Sequence, residues 1–480
     1  MISARTKRRL GVAALLCTGI WFWGANPVFG AAPVLERYPY LTDMTASSVT
    51  VNFATDTVSP HPVVKWGLAG SGCATSTAAV AARQMTVAGQ SEYQFWATLG
   101  GLSAGSSYCY RVVQAGVDLL GLDPSPAFTT FLPPCPPSCP KSAPPSFSFA
   151  VFGDWGDVGS SGSNPDQAKV LAQVAKSGAS FVVTVGDNSY PGGSQTNYGD
   201  LVHTGGDTSA VFGPSYWPQV GKSIPAFLPM GNHGMSGGSA YLTNWPQATT
   251  VATSGGAYQL QTYCCLDGTS AANYPSAWYA FDYGQARFYV LEASWANSNV
   301  GTGSLYQDDY DNHWAPGRPE YQWLAADLSA HASTPLKFAF FHFPLHSDSS
   351  TEGTDPYLGG AGTDRLEGLL AANGVGFAFN GHTHLYERNV PQVGSLVSYV
   401  TGGGGSHLQP LTRCSAFDAY AIGWSYSRNA GTACGSAVRP TSTAQVFHFL
   451  LVTVSGNLVT VRPTDENGHA FDVQSYSIGR

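Results

Sequence analysis

The 480 residues are 43% hydrophobic and only 11% charged, with 56 glycines and 31 prolines. That balance excludes a helical bundle and favours a loop-rich β or α/β protein, long enough for a catalytic domain with a smaller companion. The net charge is −8, and no cluster of Lys and Arg supplies the basic patch that a nucleic-acid partner needs.

At the N-terminus, Lys7, Arg8 and Arg9 precede an apolar run from Leu10 to about Gly24, and Val28, Gly30 and Ala31 offer small residues near a cut. Residues 1–31 therefore read as an export signal, which predicts a secreted or periplasmic protein. The run is shorter than the roughly 20 residues that span a bilayer, and an uncleaved anchor is the alternative. No later segment has the character of a membrane span. Cleavage would remove Arg5, Lys7, Arg8 and Arg9 and no acidic residue, taking the charge from −8 to −12. With Cys17 in the signal, eight cysteines remain, an even number that suggests disulfides. Proximity pairs Cys73 with Cys109, Cys135 with Cys139 and Cys414 with Cys434, while the adjacent Cys264 and Cys265 need separate partners.

Residues 33–132 read as all-β. Ser48 to Phe53 alternates polar and apolar as a half-buried strand does, and Val63 to Gly67 and Ser107 to Val113 do the same. Short strands with Gly-rich turns imply a β-sandwich. Leu132 to Pro145 contains seven prolines and two cysteines, so residues 133–145 form a stiff linker. From 146 to 480 the pattern is α/β. Phe147 to Phe152 is a strand, and Asn164-Pro165 caps and opens a helix that runs to Lys176, with Gly178 as its stop. Phe181 to Val185, Ala226 to Met230, Leu336 to Phe341 and Gly374 to Phe379 have buried-strand character. Pro319 to His331 and Asp364 to Asn373 read as helices between them. Beyond Leu396 the chain returns to β, and Val446 to Val454 with Leu458 to Arg462 is a closing hairpin.

Five of these strands end in the same way. They are followed by Gly153-Asp154, by Gly186-Asp187-Asn188-Ser189-Tyr190, by Gly231-Asn232-His233, by His342-Phe343-Pro344-Leu345-His346 and by Gly381-His382-Thr383-His384. In a mainly parallel sheet the strand C-termini share one edge, where distant side chains converge. One Gly-Asp after a strand is an ordinary turn. Five such endings together offer seven oxygen and nitrogen ligands, more than one metal needs, and two metals sharing Asp187 would use them all. The preceding glycines allow sharp turns and close backbone approach.

These motifs, in this order, resemble the calcineurin-like metallophosphoesterase superfamily. Tyr190, three residues after Asp187, and His382-Thr383-His384-Leu385-Tyr386-Glu387-Arg388 resemble its purple acid phosphatase branch, as does the N-terminal β segment with its Leu99 to Val112 stretch. The resemblance implies an α/β (α+β) sandwich of two mixed β-sheets flanked by helices, preceded by an all-β fibronectin type III-like sandwich. It implies a ferric ion on Asp154, Tyr190 and His384, a divalent zinc, manganese or iron on Asn232, His342 and His382, and Asp187 bridging. A hard anionic phenolate suits Fe(III), and imidazole suits a divalent ion. Such metals lower the pKa of a bound water for attack on a small phosphate ester, and His233 would contact the substrate.

Two departures stand out. Gly234 follows Asn232-His233 where the family has an acidic residue, so a group that orients His233 must come from elsewhere. The family's further histidine is missing, for Thr351-Glu352-Gly353 stands in its place. His346 is then either the general acid for the leaving group or a loop histidine in solvent. The expected activity is hydrolysis of phosphate monoesters, of acid phosphatase type; a phosphodiesterase or nucleotide pyrophosphatase on the same metal site is the alternative, and an inactive secreted binding protein on the same fold a further one. Gly192 to Gly206 and Val251 to Ala277 are the long loops expected to shape the cleft.

Overall fold

Alternating β-formers build the first nine strands of the computed structural model: β1 (Leu35–Thr42), β2 (Ser48–Thr55), β3 (Val63–Leu68), β4 (Ser76–Ala78), β5 (Ala81–Val87), β6 (Gln90–Gly100), β7 (Ser107–Gln114), β8 (Val117–Asp118) and β9 (Ala127–Thr129). They form two antiparallel sheets, ordered β1-β2-β6-β5 and β4-β3-β7-β8, with β9 paired to β7. The structure describes residues 32–74, 76–78, 80–134, 146–158, 164–203, 211–215, 217–233, 238–245, 258–262, 277–292, 313–349 and 356–478. The export signal, Cys135 and Cys139 of the linker, Cys264 and Cys265, Gly234, Glu352 and much of the two long loops lie outside the described residues.

The half-buried reading of Ser48 to Phe53 needs correction. Val49, Val51 and Phe53 enter the sandwich core, but Thr50 and Asn52 on the opposite face are buried as well. Polar pairing makes that tolerable: Thr50 meets Thr98 at 3.2 Å, and Asn52 Nδ2 donates to Thr42 Oγ1 at 2.9 Å. The disulfide Cys73–Cys109 joins the turn after β3 to β7.

The remaining strands are β10 (Phe147–Phe152), β11 (Val182–Thr184), β12 (Ala226–Phe227), β13 (Tyr258–Thr262), β14 (Ala277–Tyr283), β15 (Ala286–Val290), β16 (Leu336–Phe340), β17 (Phe377–Asn380), β18 (Tyr386–Asn389), β19 (Val397–Thr401), β20 (Asp418–Ser425), β21 (Ala430–Gly435), β22 (His448–Ser455), β23 (Leu458–Asp465) and β24 (Gln474–Ser477). The helices are α1 (Pro165–Lys176), α2 (Gln195–Tyr198), α3 (Gly238–Asn244), α4 (Pro319–Ala330) and α5 (Leu366–Ala372). Asn164 caps α1 by accepting from Gln167 N, and Pro165 opens it. Val170, Leu171 and Val174 bury its inner face.

Two mixed sheets result, a six-stranded one ordered β12-β11-β10-β22-β23-β24 and a nine-stranded one ordered β13-β14-β15-β16-β17-β19-β18-β20-β21. The strands that lead into the candidate ligands are thus divided: β10, β11 and β12 run parallel in one sheet, β16 and β17 in the other. A single edge, as the strand pattern alone suggests, is replaced by two edges that face each other. The closing hairpin also gains β24, a short strand with partly exposed residues.

Phenylalanines lock the sheets face to face. Parallel register places Phe288 beside Phe338, Phe338 beside Phe377 and Phe340 beside Phe379, with ring centroids 5.2, 5.5 and 5.2 Å apart. Phe149 of the six-stranded sheet meets Phe288 edge-on at 5.3 Å. Each such ring, fully buried, contributes roughly 1.5–3 kcal/mol. The N-terminal sandwich is bound in through Arg37, fully buried, which donates to Gly199 O at 2.9 Å and Asn244 Oδ1 at 2.7 Å. No helix among the described residues is long and apolar enough to cross a membrane.

Candidate metal centre

Where the two sheet edges meet, the structure brings together all seven residues that the sequence offers as ligands. Asp154 follows β10, Asp187 and Tyr190 follow β11, Asn232 follows β12, His342 follows β16, and His382 and His384 follow β17. Asp154, Asp187 and His342 are wholly or almost wholly buried. Asp154, Asp187 and His382 adopt left-handed backbone, with φ of 55°, 47° and 68°. That conformation costs a non-glycine residue on the order of 1–3 kcal/mol and persists where the surroundings over-determine it, which is common at functional sites. It turns each chain sharply as it leaves its strand.

Two groups of side chains flank Asp187. On one side Tyr190 Oη lies 3.0 Å from Asp187 Oδ2, 3.4 Å from Asp154 Oδ1 and 3.2 Å from His384 Nε2. On the other, His342 Nε2 lies 3.3 Å from Asp187 Oδ1 and 2.8 Å from Asn232 Oδ1, which is itself 3.1 Å from His382 Nδ1. The two carboxylate oxygens of Asp187 therefore face separate groups.

Backbone carbonyls aim the rings. His342 Nδ1 donates to Val185 O at 2.8 Å and His384 Nδ1 to His407 O at 2.7 Å, so both rings present Nε2 to the centre. His233 Nδ1 donates to Pro191 O at 2.6 Å, and its ring packs 4.4 Å from Tyr190. That carbonyl is an orienting partner of the kind the departure at Gly234 calls for. Asn188, nearly fully buried, ties three of the loops together. Its Oδ1 accepts from Trp155 Nε1 and Thr184 Oγ1, and its Nδ2 donates to Pro229 O.

Close approach explains the glycines. A Cβ on Gly231 would strike Asp187, and one on Gly186 would strike the His342 ring. The run Gly402-Gly403-Gly404 packs behind the centre, where a Cβ on Gly402 would strike Thr383 and Asp154, one on Gly403 the His448 ring, and one on Gly404 the backbone of Gly153. The four consecutive glycines from Gly402 to Gly405 are the sequence signal for that backing layer. The carbonyls of Val185, Pro191 and His407 had none.

His346 stands apart. Its Nε2 is 2.9 Å from Glu367 Oε1 on α5, and its ring packs 5.4 Å from Phe417. Among the described contacts it meets none of the seven.

The electrostatics suit cations. Burial alone would push the Asp187 carboxyl up, but His342, His233 and His382 hold it well below the usual carboxylate range. Burial opposes a charge on His342, yet Asp187 outweighs it and raises the imidazole to about 9. His384 is raised likewise, with burial again overcome, here by Asp154. The carboxylates thus draw protons onto the imidazoles, and metal ions would displace those protons. The Tyr190 phenol is pushed well above its ordinary range by burial and then by Asp187 and Asp154, so it ionises only beside a strong positive charge. Asp154, Tyr190, His384 and an Asp187 oxygen form a hard, anionic donor set. Asn232 Oδ1, His342, His382 and the other Asp187 oxygen form a set that includes two imidazoles. The residues fit a binuclear centre.

Comparison with known proteins agrees with this geometry. The family model for the purple acid phosphatase N-terminal domain matches residues 38–130, and that for calcineurin-like phosphoesterases matches residues 147–386. An acid phosphatase of Aspergillus ficuum is 24% identical over 348 residues, 53% of this chain and 55% of the relative. A probable inactive purple acid phosphatase 27 of Arabidopsis thaliana is 24% identical over 310 residues, 58% of this chain and 44% of the relative. The match spans less than two thirds of the length of each of the curated relatives, from 17% to 60%. A solved structure of purple acid phosphatase PPD1 from yellow lupin (Lupinus luteus) shares the fold, with a TM-score of 0.63 at 16% identity, over 93% of this chain and 74% of that one. The chain belongs to the calcineurin-like phosphoesterase family, with an N-terminal domain of the purple acid phosphatase type.

Proposed function

We propose that the protein is an exported phosphatase that hydrolyses small phosphate monoesters at a two-metal centre, ferric on Asp154, Tyr190 and His384, divalent on Asn232, His342 and His382. The observation that carries this reading is Asp187, whose Oδ2 faces Tyr190 at 3.0 Å while its Oδ1 faces His342 at 3.3 Å. One carboxylate so placed serves two ions. When bound, the ions supply Lewis acidity at the phosphoryl oxygens and lower the pKa of water.

The rest falls to the protein. Val185 O and His407 O hold His342 and His384 in the tautomer that presents Nε2 inward. His233, with Nδ1 committed to Pro191 O, keeps its Nε2 for a phosphoryl oxygen and stabilises charge there when protonated. His346, the sequence's candidate for protonating the leaving group, has its Nε2 committed to Glu367, and in this reading it positions the loop that carries His342. All four loss-prone ligand types, two aspartates, a tyrosine, an asparagine and three histidines, are present together, which favours activity over an inactive homologue. Disulfides Cys73–Cys109 and Cys414–Cys434 fit an oxidising compartment and hence export. We take 33–132 and 146–480 as the two domains.

Metal analysis of purified wild type and Asp187→Ala, with a panel of mono- and diesters on the same samples, tests the proposal. Wild type should hold two ions and turn over monoesters faster than diesters. Asp187→Ala should lose metal at both positions together with activity. Full occupancy in the mutant would refute the bridge, and faster diester turnover would refute the substrate class.

A further inference from the structure

A second group of ligand-type side chains lies away from the centre, where the N-terminal sandwich meets the phosphoesterase domain. Glu36 comes from β1, Glu92 from β6, and Asp200 and His203 from the loop after α2. One potential ligand atom from each lies within 4.8 Å of all the others. Glu36 is 6% exposed, Glu92 1% and Asp200 0%. His203 alone reaches the surface.

Asp200 is well provided for. Its Oδ1 accepts from Val202 N and His203 N, and its Oδ2 lies 2.8 Å from His203 Nδ1. Glu92 is not. Both of its oxygens are buried with no N–H or hydroxyl donor among the described residues, as is Glu36 Oε2, and Glu92 meets the Asp200 carboxyl at hydrogen-bonding range. His203 Nδ1 lies 3.7 Å from Glu92 Oε1. Arg37, next to Glu36 in sequence, bears on Glu92 and Asp200 through its charge, but its guanidinium hydrogen bonds go to Gly199 O, Gln94, Asn244 and Gln195, and none goes to a carboxylate. A buried carboxylate left unpaired costs several kcal/mol, so Glu92 and Glu36 beside Asp200 need a cation or shared protons. The crowding is visible in the acids themselves: burial first, then Asp200, pushes the Glu92 carboxyl up to about 9.

We infer that Glu36, Glu92, Asp200 and His203 form a further metal site, for a divalent cation of the manganese type, that fastens the N-terminal sandwich to the phosphoesterase domain. Three carboxylates favour the harder divalent ions, and one imidazole favours the first transition row over magnesium or calcium; Mn²⁺ satisfies both. The ion would meet the buried oxygens of Glu92 and Glu36. It would also join strands β1 and β6 to a loop more than a hundred residues later in the chain.

The test is a Mn²⁺ titration of the full chain stripped with chelator, reading free Mn²⁺ by its electron paramagnetic resonance. Wild type should bind one equivalent more than His203→Ala and one more than Glu92→Gln, however many ions the catalytic centre takes. The Asp187→Ala variant should retain that extra equivalent, and Mn²⁺ should raise the Tm of wild type more than that of His203→Ala. His203 is partly exposed, so its alanine variant should fold and decides the matter alone if Glu92→Gln does not. Equal equivalents in wild type and His203→Ala would overturn the site and leave the carboxyls neutralised by shared protons.

Discussion

Gly381 lies where the two halves of the centre touch. It precedes His382, its amide donates to His342 O at 2.9 Å, and a Cβ built on it would sit 2.5 Å from Asp154 Oδ2 and 2.8 Å from Val185 O. Real Cβ atoms essentially never come within 3.0 Å of such neighbours, and ordinary contact begins at 3.4 Å. Gly381→Ala must therefore move Asp154 by at least about 0.5 Å, against a tolerance of about 0.2 Å in metal–ligand distances. Asp154 also accepts from His382 N at 3.1 and 3.0 Å, so the shift would reach candidate ligands on both sides of Asp187. Overpacking of this kind costs about 1–3 kcal/mol of stability, and displaced support around a metal costs roughly 10–100-fold in affinity or activity. The assay is metal content, Tm and phosphate release for Gly381→Ala beside Gly100→Ala, whose Cβ would meet nothing within 4 Å. Gly100→Ala should match wild type. Wild-type metal content and stability in Gly381→Ala would refute the close approach that the structure shows there.

Three further outcomes follow from the geometry. If Tyr190 holds Fe(III), the oxidised protein should show a visible tyrosinate charge-transfer band that Tyr190→Phe removes; a colourless, iron-free, fully active enzyme would defeat the ferric assignment. His346→Ala should lose about 1 kcal/mol of stability with its Glu367 bond and should slow aryl and alkyl phosphates equally, whereas a loss confined to alkyl phosphates would restore it as general acid. Glu387, pushed by burial to about 8 from an ordinary 4.5, should make stability fall as pH rises between those values, because its neutral form is the one the fold prefers; Glu387→Gln should flatten that slope in denaturant titrations at several pH values, and an unchanged slope would locate the titration elsewhere.

What could be read in the sequence was decided by what kind of atom each position contributes. As candidate ligands, Asp154, Asp187, Asn232 and the three histidines offer atoms of their own side chains and stand directly after apolar runs, so residue type and position were enough to gather them. The pairing of strands is a different matter. Periodicity describes each run by itself, and Phe152 and Phe340 end strands of the same character although β10 and β16 belong to different sheets. The partners of His233 and His342 are carbonyls, which every residue carries, and the alternatives left open for His346 turned on Glu367, 21 residues away on a helix face. Glu36, Glu92, Asp200 and His203 come from three separated segments with no shared motif, and only the docking of two sheet systems brings them within 4.8 Å. Donor atoms specific to a residue type are therefore legible wherever a strand end delivers them. Those supplied by the backbone, or assembled across an interface, become visible only once the sheets are stacked, and the support of this centre is of the second kind.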